Sequence, residues 1–345
     1  MVNNGGKFVL ALLALWVLGA FGCDLMGPNS QVSFDPNSTS DQQRNSNGWT
    51  LDWNWPKRHV EDDQNVRQVA FVRTPSHLAI GTFNIEIFGQ KKMSKPRVVD
   101  VLVDIARQFD VLAIQELREK EQTVIPAFLE LINSNGSMYA AYVGPRQGYT
   151  SSKEQYVYIY DTSRVEMIPE PYIVPDPHGL LHRPPMVASF RAINSQMHQA
   201  FTFTLLNVHT DYDVVDDELE ALPGAIEYVR AMNPAEDDII MLGDFNASPR
   251  NLGGLANVRD YSTHAILSPD VATNTRGTHH YDNILIDQYR SSEFTGDSGV
   301  IDLMGAYGLT MEEAMEVSDH LPVWGLFSSV ESSSPALARQ PDYLR

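Results

Sequence analysis

Six times along the chain, a short run of apolar, β-branched or aromatic residues carries a polar or charged residue at its end. AIGTFN ends at Asn84, DVLAIQE at Glu116 and FTLLNVH at His209. The turn GDFN, with Asp244 and Asn246, follows DIIML. Asp282 opens YDNILI, and Asp319-His320 precede LPVWG. Short apolar runs of this kind fit buried strands. Unpaired charge is costly inside such a strand, so the polar residues belong at strand ends. Repeated at many strand ends, they build a rim, and rims are where sites form.

Helical spacing separates some of these runs. Lys95 to Phe109 places Val98, Val99, Leu102, Ile105, Ala106 and Phe109 on one face, and Thr123 to Ile132 reads as a second helix. Strands are expected at 78–88, 111–115, 138–143, 155–160, 186–191, 200–208, 238–242, 283–287 and 322–327, with one helix near 216–231. Many strands with fewer helices fit two sheets packed face to face and flanked by helices.

The ends of the chain read differently. Lys7 followed by the apolar run Phe8 to Phe21 suits a signal-peptide core, being short of the roughly 20 residues of a membrane span. Gly22-Cys23 stands where a bacterial lipoprotein signal places its lipid-modified cysteine, although Ala20-Phe21 departs from the usual residues there. An ordinary cleaved signal or an uncleaved anchor are the alternatives. Residues 24–75 are polar and read as a flexible tether, interrupted by three tryptophans in WTLDWNW at 49–55. Residues 329–345 read as a disordered tail, which leaves 76–328 as the folded domain. Cys23 is the only cysteine, so no intrachain disulfide forms. The formal net charge of -19 excludes a protein that holds polyanions by bulk charge alone. A nucleic-acid substrate would be met by local arginines and metal ions.

The series FNIEIFG, DVLAIQELRE, SSKEQYVYIYD, HRPPMVASF, LLNVHTDYD, MLGDFNASP, YDNILI and AYGLTMEEAMEVSDHLPV resembles the endonuclease/exonuclease/phosphatase superfamily, and within it the deoxyribonuclease I-like nucleases. The resemblance covers about residues 77–328. It implies a four-layered α/β sandwich and metal-dependent hydrolysis of phosphodiesters, with DNA as the substrate and a monomeric enzyme. Such chemistry needs an oriented water, a neutralised phosphoryl charge and a protonated leaving oxygen. Glu116, Asn84 and Asp319 would hold Mg²⁺ or Mn²⁺, hard cations that take oxygen ligands. No Cys/His cluster suggests a zinc site. The resemblance makes His320 the base, fixed by Asp282, and His209 the acid, partnered by Glu154. Asp244 and Asn246 would orient nucleophile and phosphate, or a second metal. Arg183 would steady the scissile phosphate, and Arg118 would touch DNA. His264, His279 and His280 match no catalytic motif and read as structural.

The match departs in places. Ser152 stands where the family's groove-entering loop carries an aromatic residue, and Tyr149 lies three residues earlier. The Arg-Glu-Pro pattern has become Arg-Pro-Pro at 183–185, and the family's cysteines near the GDFNA turn are absent. The acidic run DYDVVDDELE at 211–220 reads as the start of a helix, with cation capture as the alternative. Structural Ca²⁺ sites are not assignable from the sequence. Competing readings are a lipid phosphodiesterase, a phosphomonoesterase, and a non-catalytic envelope protein on this scaffold. The last predicts losses at His209, His320, Glu116 or Asp244, and none is lost.

Overall fold

The run after Ser76 becomes β1 (His77–Phe88), almost wholly buried. The structure, a computed structural model, describes residues 71–149, 152–193 and 199–331. The expected signal segment with Cys23, the expected tether up to residue 70 with its tryptophan stretch, and the expected tail beyond residue 331 lie outside the described residues. After β1 come the short α1 (Gln90–Met93) and α2 (Pro96–Ala106). Pro96 suits a first helical position, where its missing amide hydrogen is not needed. β2 (Val111–Leu117) then pairs parallel with β1, a geometry that requires a crossover such as α2 provides. α3 (Val124–Asn133), β3 (Tyr139–Val143) and β4 (Gln155–Asp161) follow.

The chain next builds a second sheet. Its strands are β5 (Val165–Met167), β6 (Tyr172–Ile173), β7 (Met186–Ala192) and β8 (Thr202–His209). α4 (Val215–Ala221) and α5 (Pro223–Met232) lead to β9 (Ile239–Asp244), which runs parallel to β8. β10 (Thr263–Ala265) and β11 (Asp282–Asp287) finish that sheet. The chain returns through β12 (Phe294–Val300), α6 (Leu303–Tyr307), α7 (Met311–Val317) and β13 (Val323–Ser328). The sheet orders are β12-β13-β1-β2-β4-β3 and β10-β11-β9-β8-β7-β5, with β6 beside β7.

The strand period sorts side chains into layers. In β1, Leu78 and Ile80 enter the core between the sheets, whereas Ala79, Phe83 and Ile85 join the core shared with the helices. Gly81 lies on that helix side, where an added Cβ would come within 2.1 Å of the Phe109 ring. The inter-sheet core also takes Tyr158, Phe190, Leu205, Leu242 and Phe327. A third core lies on the outer face of the second sheet, with Leu219 of α4 and Ile226 of α5 against Leu206 and Met241. Helix, sheet, sheet, helix is the four-layered α/β sandwich that the sequence led us to expect.

Some expectations are corrected. The helix near 216–231 is two helices, because Pro223 has no amide hydrogen to continue the first. β12, α6 and α7 were not anticipated; β12 contains Gly, Asp and Ser and is half-exposed, so it lacks the apolar signal. The folded domain is also longer than 76–328. Phe71 is buried against Phe109 and Trp324, with ring centroids 5.7 and 4.8 Å away. Arg73 pairs with buried Asp110 and with Asp161. At the other end, Val330 bridges to Ala200, and the Ser329 amide donates to the Ser76 carbonyl at 2.9 Å. Residues 71–75 and 329–331 thus belong to the domain rather than to tether or tail. Among the described residues, no helix is long and apolar enough to cross a membrane.

Candidate active site

The parallel strands β8 and β9 end at the same level, and antiparallel β11 begins there. The ladder therefore sets His209 opposite Asp244 and Asp244 opposite Asp282. Gly243 permits this close approach: a Cβ there would lie 1.9 Å from the Val208 carbonyl oxygen, at a φ of 149°. The first sheet contributes Asn84 from β1 and Glu116 from β2. Asn84 Nδ2 joins the sheets, donating to Asp244 Oδ2 at 3.0 Å and to Glu116 Oε1 at 3.4 Å. Just behind, buried Gln115 donates to Asn207 Oδ1 at 2.6 Å and to Thr82 Oγ1 at 2.9 Å. This buried polar link holds the two sheets in one register under the site.

Two histidines meet over Asp244. His209 Nδ1 lies 2.6 Å from Glu154 Oε1, and His320 Nδ1 lies 2.8 Å from Asp282 Oδ2. Their other ring nitrogens both face Asp244 Oδ2, at 3.7 and 3.5 Å. Burial opposes charge on both imidazoles, but the adjacent carboxylates outweigh it and raise both pKa values, that of His320 strongly. Burial favours a neutral Asp244, yet the two histidines hold its carboxyl below the ordinary range. Burial pushes the Asp282 carboxyl up to about 6, even with His320 beside it. Glu154 is lowered in spite of its burial, because His209, Arg183 and Arg118 surround it.

Glu116 adopts a φ of 65°, a left-handed conformation costing a residue with a side chain on the order of 1–3 kcal/mol. The strand registers slip between Asn84 and Phe88 and between Ile114 and Leu117, so a bulge turns Glu116 out of the sheet. Ile87 (φ 47°) and Asn246 (φ 46°) are held similarly, on either side of the site. The Ile87 amide donates to Glu116 Oε2 at 3.0 Å. Asn246 donates from Nδ2 to the Thr210 carbonyl at 2.9 Å, and its amide donates to Asp244 Oδ1, also at 2.9 Å. Phe245 between them is fully buried, and its amide donates to the Tyr281 carbonyl, so the GDFN turn is anchored without a disulfide.

The carboxylates here fit a hard divalent cation. Glu116 with Glu154 and His209, and Asp244 with Asp282 and His320, are two groups whose ligand atoms lie within 4.8 Å of one another. Asn84 Oδ1 is buried without a hydrogen-bond partner, a neutral oxygen free to ligate. Asp319 is the more exposed member of the expected metal set. Glu86, which the sequence reading passed over, feels both Asp319 and Glu116; burial and these charges raise its pKa.

The arginines are partly spent on the site itself. Arg183 Nε contacts Glu154 Oε1 and the His209 carbonyl, both at 3.0 Å, and Nη2 donates to the Thr210 carbonyl at 2.9 Å. Arg118 Nη2 lies 3.0 Å from Glu116 and 3.6 Å from Glu154, and Nη1 reaches Ser152 Oγ at 3.4 Å. Each therefore positions a carboxylate of the site as well as offering positive charge. At the rim, Tyr149 is 71% exposed and stacks on His182 at 4.7 Å and 11°. His182 Nε2 accepts from the Tyr149 amide at 2.8 Å, and Nδ1 pairs with Asp211. In the acidic run, Asp216, Asp217 and Glu218 fill the first turn of α4, as the helix reading expected. Glu218 is buried and accepts from the His182 and Asp211 amides.

Several supporting residues carried no sequence signal. Ser318 Oγ donates to the Asn84 carbonyl at 2.7 Å and accepts from the Glu86 and His320 amides. Thr273 donates to Asp282 Oδ2 at 2.9 Å, which orients that carboxylate toward His320. Tyr156 accepts from the His209 amide at 2.9 Å. By contrast, His279 and His280 bond within their own loop, and burial lowers the pKa of the half-buried His264.

Known proteins resemble this chain in sequence and fold. Deoxyribonuclease-1-like 1 of Sus scrofa is 30% identical over 253 residues, covering 71% of this chain and 79% of that protein. Deoxyribonuclease-1 of Bos taurus is 27% identical over 268 residues, covering 71% and 90%. Among solved structures, the human Nocturnin catalytic domain superposes with a TM-score of 0.51 at 14% identity, over 75% of this chain and 96% of that one. An endonuclease/exonuclease/phosphatase family protein from Bacteroides thetaiotaomicron gives 0.51 at 15%, over 73% and 94%; these two likenesses speak to fold alone. The sequence model of the Endonuclease/Exonuclease/phosphatase family matches residues 81–320. With that match spanning most of the chain and the two histidine–carboxylate pairs in place, this protein belongs to the endonuclease/exonuclease/phosphatase family and is a nuclease-like hydrolase of phosphate esters.

Proposed function

We propose that this protein hydrolyses DNA phosphodiester bonds as a divalent-metal-dependent endonuclease. The observation that carries the reading is the convergence of His209 Nε2 and His320 Nε2 on Asp244 Oδ2. Each imidazole is fixed by a carboxylate at Nδ1, which leaves Nε2 for proton transfer. His320, held by Asp282, takes the proton of the attacking water at Nε2 in its neutral form, which its raised pKa places toward higher pH. His209, held by Glu154, gives a proton from Nε2 to the leaving oxygen. Asp244 and Asn246 orient the water and phosphate between them. Glu116, with Asn84 and Asp319, would hold Mg²⁺ or Mn²⁺. The ion would neutralise charge that builds on the phosphoryl oxygens. Arg183 and Arg118 add positive charge beside Glu154, and the exposed Tyr149 face offers a surface for a sugar or base.

The relatives named as deoxyribonucleases support DNA as the substrate class. The apolar run Phe8 to Phe21 and the lone Cys23 support export, with a lipid anchor at the cell envelope. The test is a substrate panel with purified protein: supercoiled plasmid, single-stranded DNA, RNA, sphingomyelin and a phosphomonoester, each with EDTA or with added Mg²⁺ or Mn²⁺. Plasmid nicking that EDTA stops and metal restores is expected. Turnover of the lipid or the monoester alone rejects the DNA reading, and full activity in EDTA rejects the metal.

A further inference from the structure

A second acidic centre lies at the far end of β9 from the catalytic rim. β9 is six residues long, so about 20 Å separates the two ends. Asp238 immediately precedes β9, Glu293 precedes β12, and Glu331 follows β13. These three residues offer oxygens within 4.8 Å of one another. Oxygens of Glu236, Asp237 and Asp238 also lie within 4.8 Å of one another, so five carboxyl groups gather about Asp238.

This is more than a solvated acidic surface. Asp238 is 1% exposed and Glu293 is 2% exposed. Asp238 Oδ1 is buried and has no hydrogen-bond partner. Part of the cluster is firmly held: Glu236 Oε1 accepts from the Asp238 amide at 3.0 Å, and Glu331 Oε2 accepts from the Thr202 amide at 3.2 Å. The Asp238 carbonyl accepts from the Thr204 amide at 2.8 Å, which fixes the backbone under the carboxylate.

Buried carboxylates crowded together need protons or a cation. Burial, then Glu293, Glu331, Glu236 and Asp237, push the Asp238 carboxyl up to about 10 when no ion is present. Burial with Glu293, Glu236 and Asp237 pushes Glu331 up to about 7, against the Thr202 amide. The donors are all oxygens and mostly charged, a set that selects a hard cation over zinc or copper. Several ligands arriving from separate segments suit Ca²⁺, which takes 6–8 oxygens in flexible geometry, better than Mg²⁺.

We infer that Asp238, Glu293 and Glu331, with Glu236 and Asp237 alongside, form a structural Ca²⁺ site separate from the catalytic centre. The ion would tie the residues after β13 to the starts of β9 and β12, closing the base of the sandwich in a domain without disulfides. The site stands independently of the proposed nuclease activity.

The test uses the full chain stripped with EDTA. Ca²⁺ is added while heat of binding and melting temperature are followed, for the wild type, Asp238→Asn, Glu331→Gln and, as a control for the catalytic centre, Glu116→Gln. Wild type and Glu116→Gln should bind Ca²⁺ and melt higher, on the order of 5–10 °C at a hundredfold excess over Kd. Both cluster variants should lose most of that rise. Glu331→Gln is partly exposed and keeps the test decisive if Asp238→Asn does not fold. No Ca²⁺-dependent rise in the wild type overturns the inference, as does a rise that survives in the cluster variants or disappears with Glu116→Gln.

Discussion

Glu154 Oε1 sits 2.6 Å from Nδ1 of His209, inside the protein, and the same carboxylate oxygen is 3.0 Å from Nε of Arg183. One oxygen thus serves the imidazole and the guanidinium, and the histidine's charge depends on it. As the proposed general acid, His209 would work only while protonated. Its raised pKa keeps the proton to higher pH, and activity is lost as pH rises through that value. Glu154→Gln removes the charge that raises it. The alkaline limb of the kcat/KM profile should therefore move to lower pH, with reduced kcat. An unmoved alkaline limb would assign the acid elsewhere.

His320 Nε2 faces Asp244 Oδ2 at 3.5 Å. His320→Ala should lower plasmid nicking by about 10²–10⁴-fold, the usual contribution of a general base, with the fold retained by circular dichroism. Near wild-type nicking by this variant rules out the base assignment.

Tyr149 is exposed and stacked on His182. Tyr149→Ala should raise KM for DNA about 5–100-fold, consistent with about 1–3 kcal/mol per stacked base, and change kcat much less. Tyr149→Phe should keep most of the binding. A loss confined to kcat would place the ring outside the substrate path.

Arg73 lies before the segment that the sequence marked as folded, yet it links Asp110, Asp161 and the Tyr139 hydroxyl. Arg164 also pairs with Asp110, so that carboxylate keeps one partner when Arg73 is removed. Arg73→Met should cost on the order of 2 kcal/mol in denaturant unfolding. A change within error would return residues 71–75 to the tether.

Cys23 is the one position where a lipid could be attached to this chain by a thioether, because no other cysteine exists. Labelled palmitate fed to expressing bacterial cells should enter the wild type and not Cys23→Ser. Equal labelling of both discards the anchor.

The strand ends carried most of what was legible. Asn84, Glu116, His209, Asp244, Asp282 and His320 were readable because burial forbids charge within the apolar runs that they end. The same logic could not find Ser318, Thr273 or Tyr156. Each acts through a backbone or carboxylate contact made only after folding, and a serine or threonine in a loop has no pattern of its own. β12 was missed for lack of apolar alternation, and Pro223 was misread within a helical run.

By itself, then, the sequence determined the layered α/β class and the identities of the rim residues, since hydrophobic periodicity and strand-end polarity are local properties. The tertiary structure alone decided which residues became partners. Ladder register set Asp244 between His209 and Asp282, and a bulge swung Glu116 out at positive φ. Sheet stacking brought Asn84 to Asp244 across 160 residues of chain, and Asp238 to Glu293 and Glu331 at the opposite end. Such pairings depend on how distant segments pack, which no local pattern in the chain encodes.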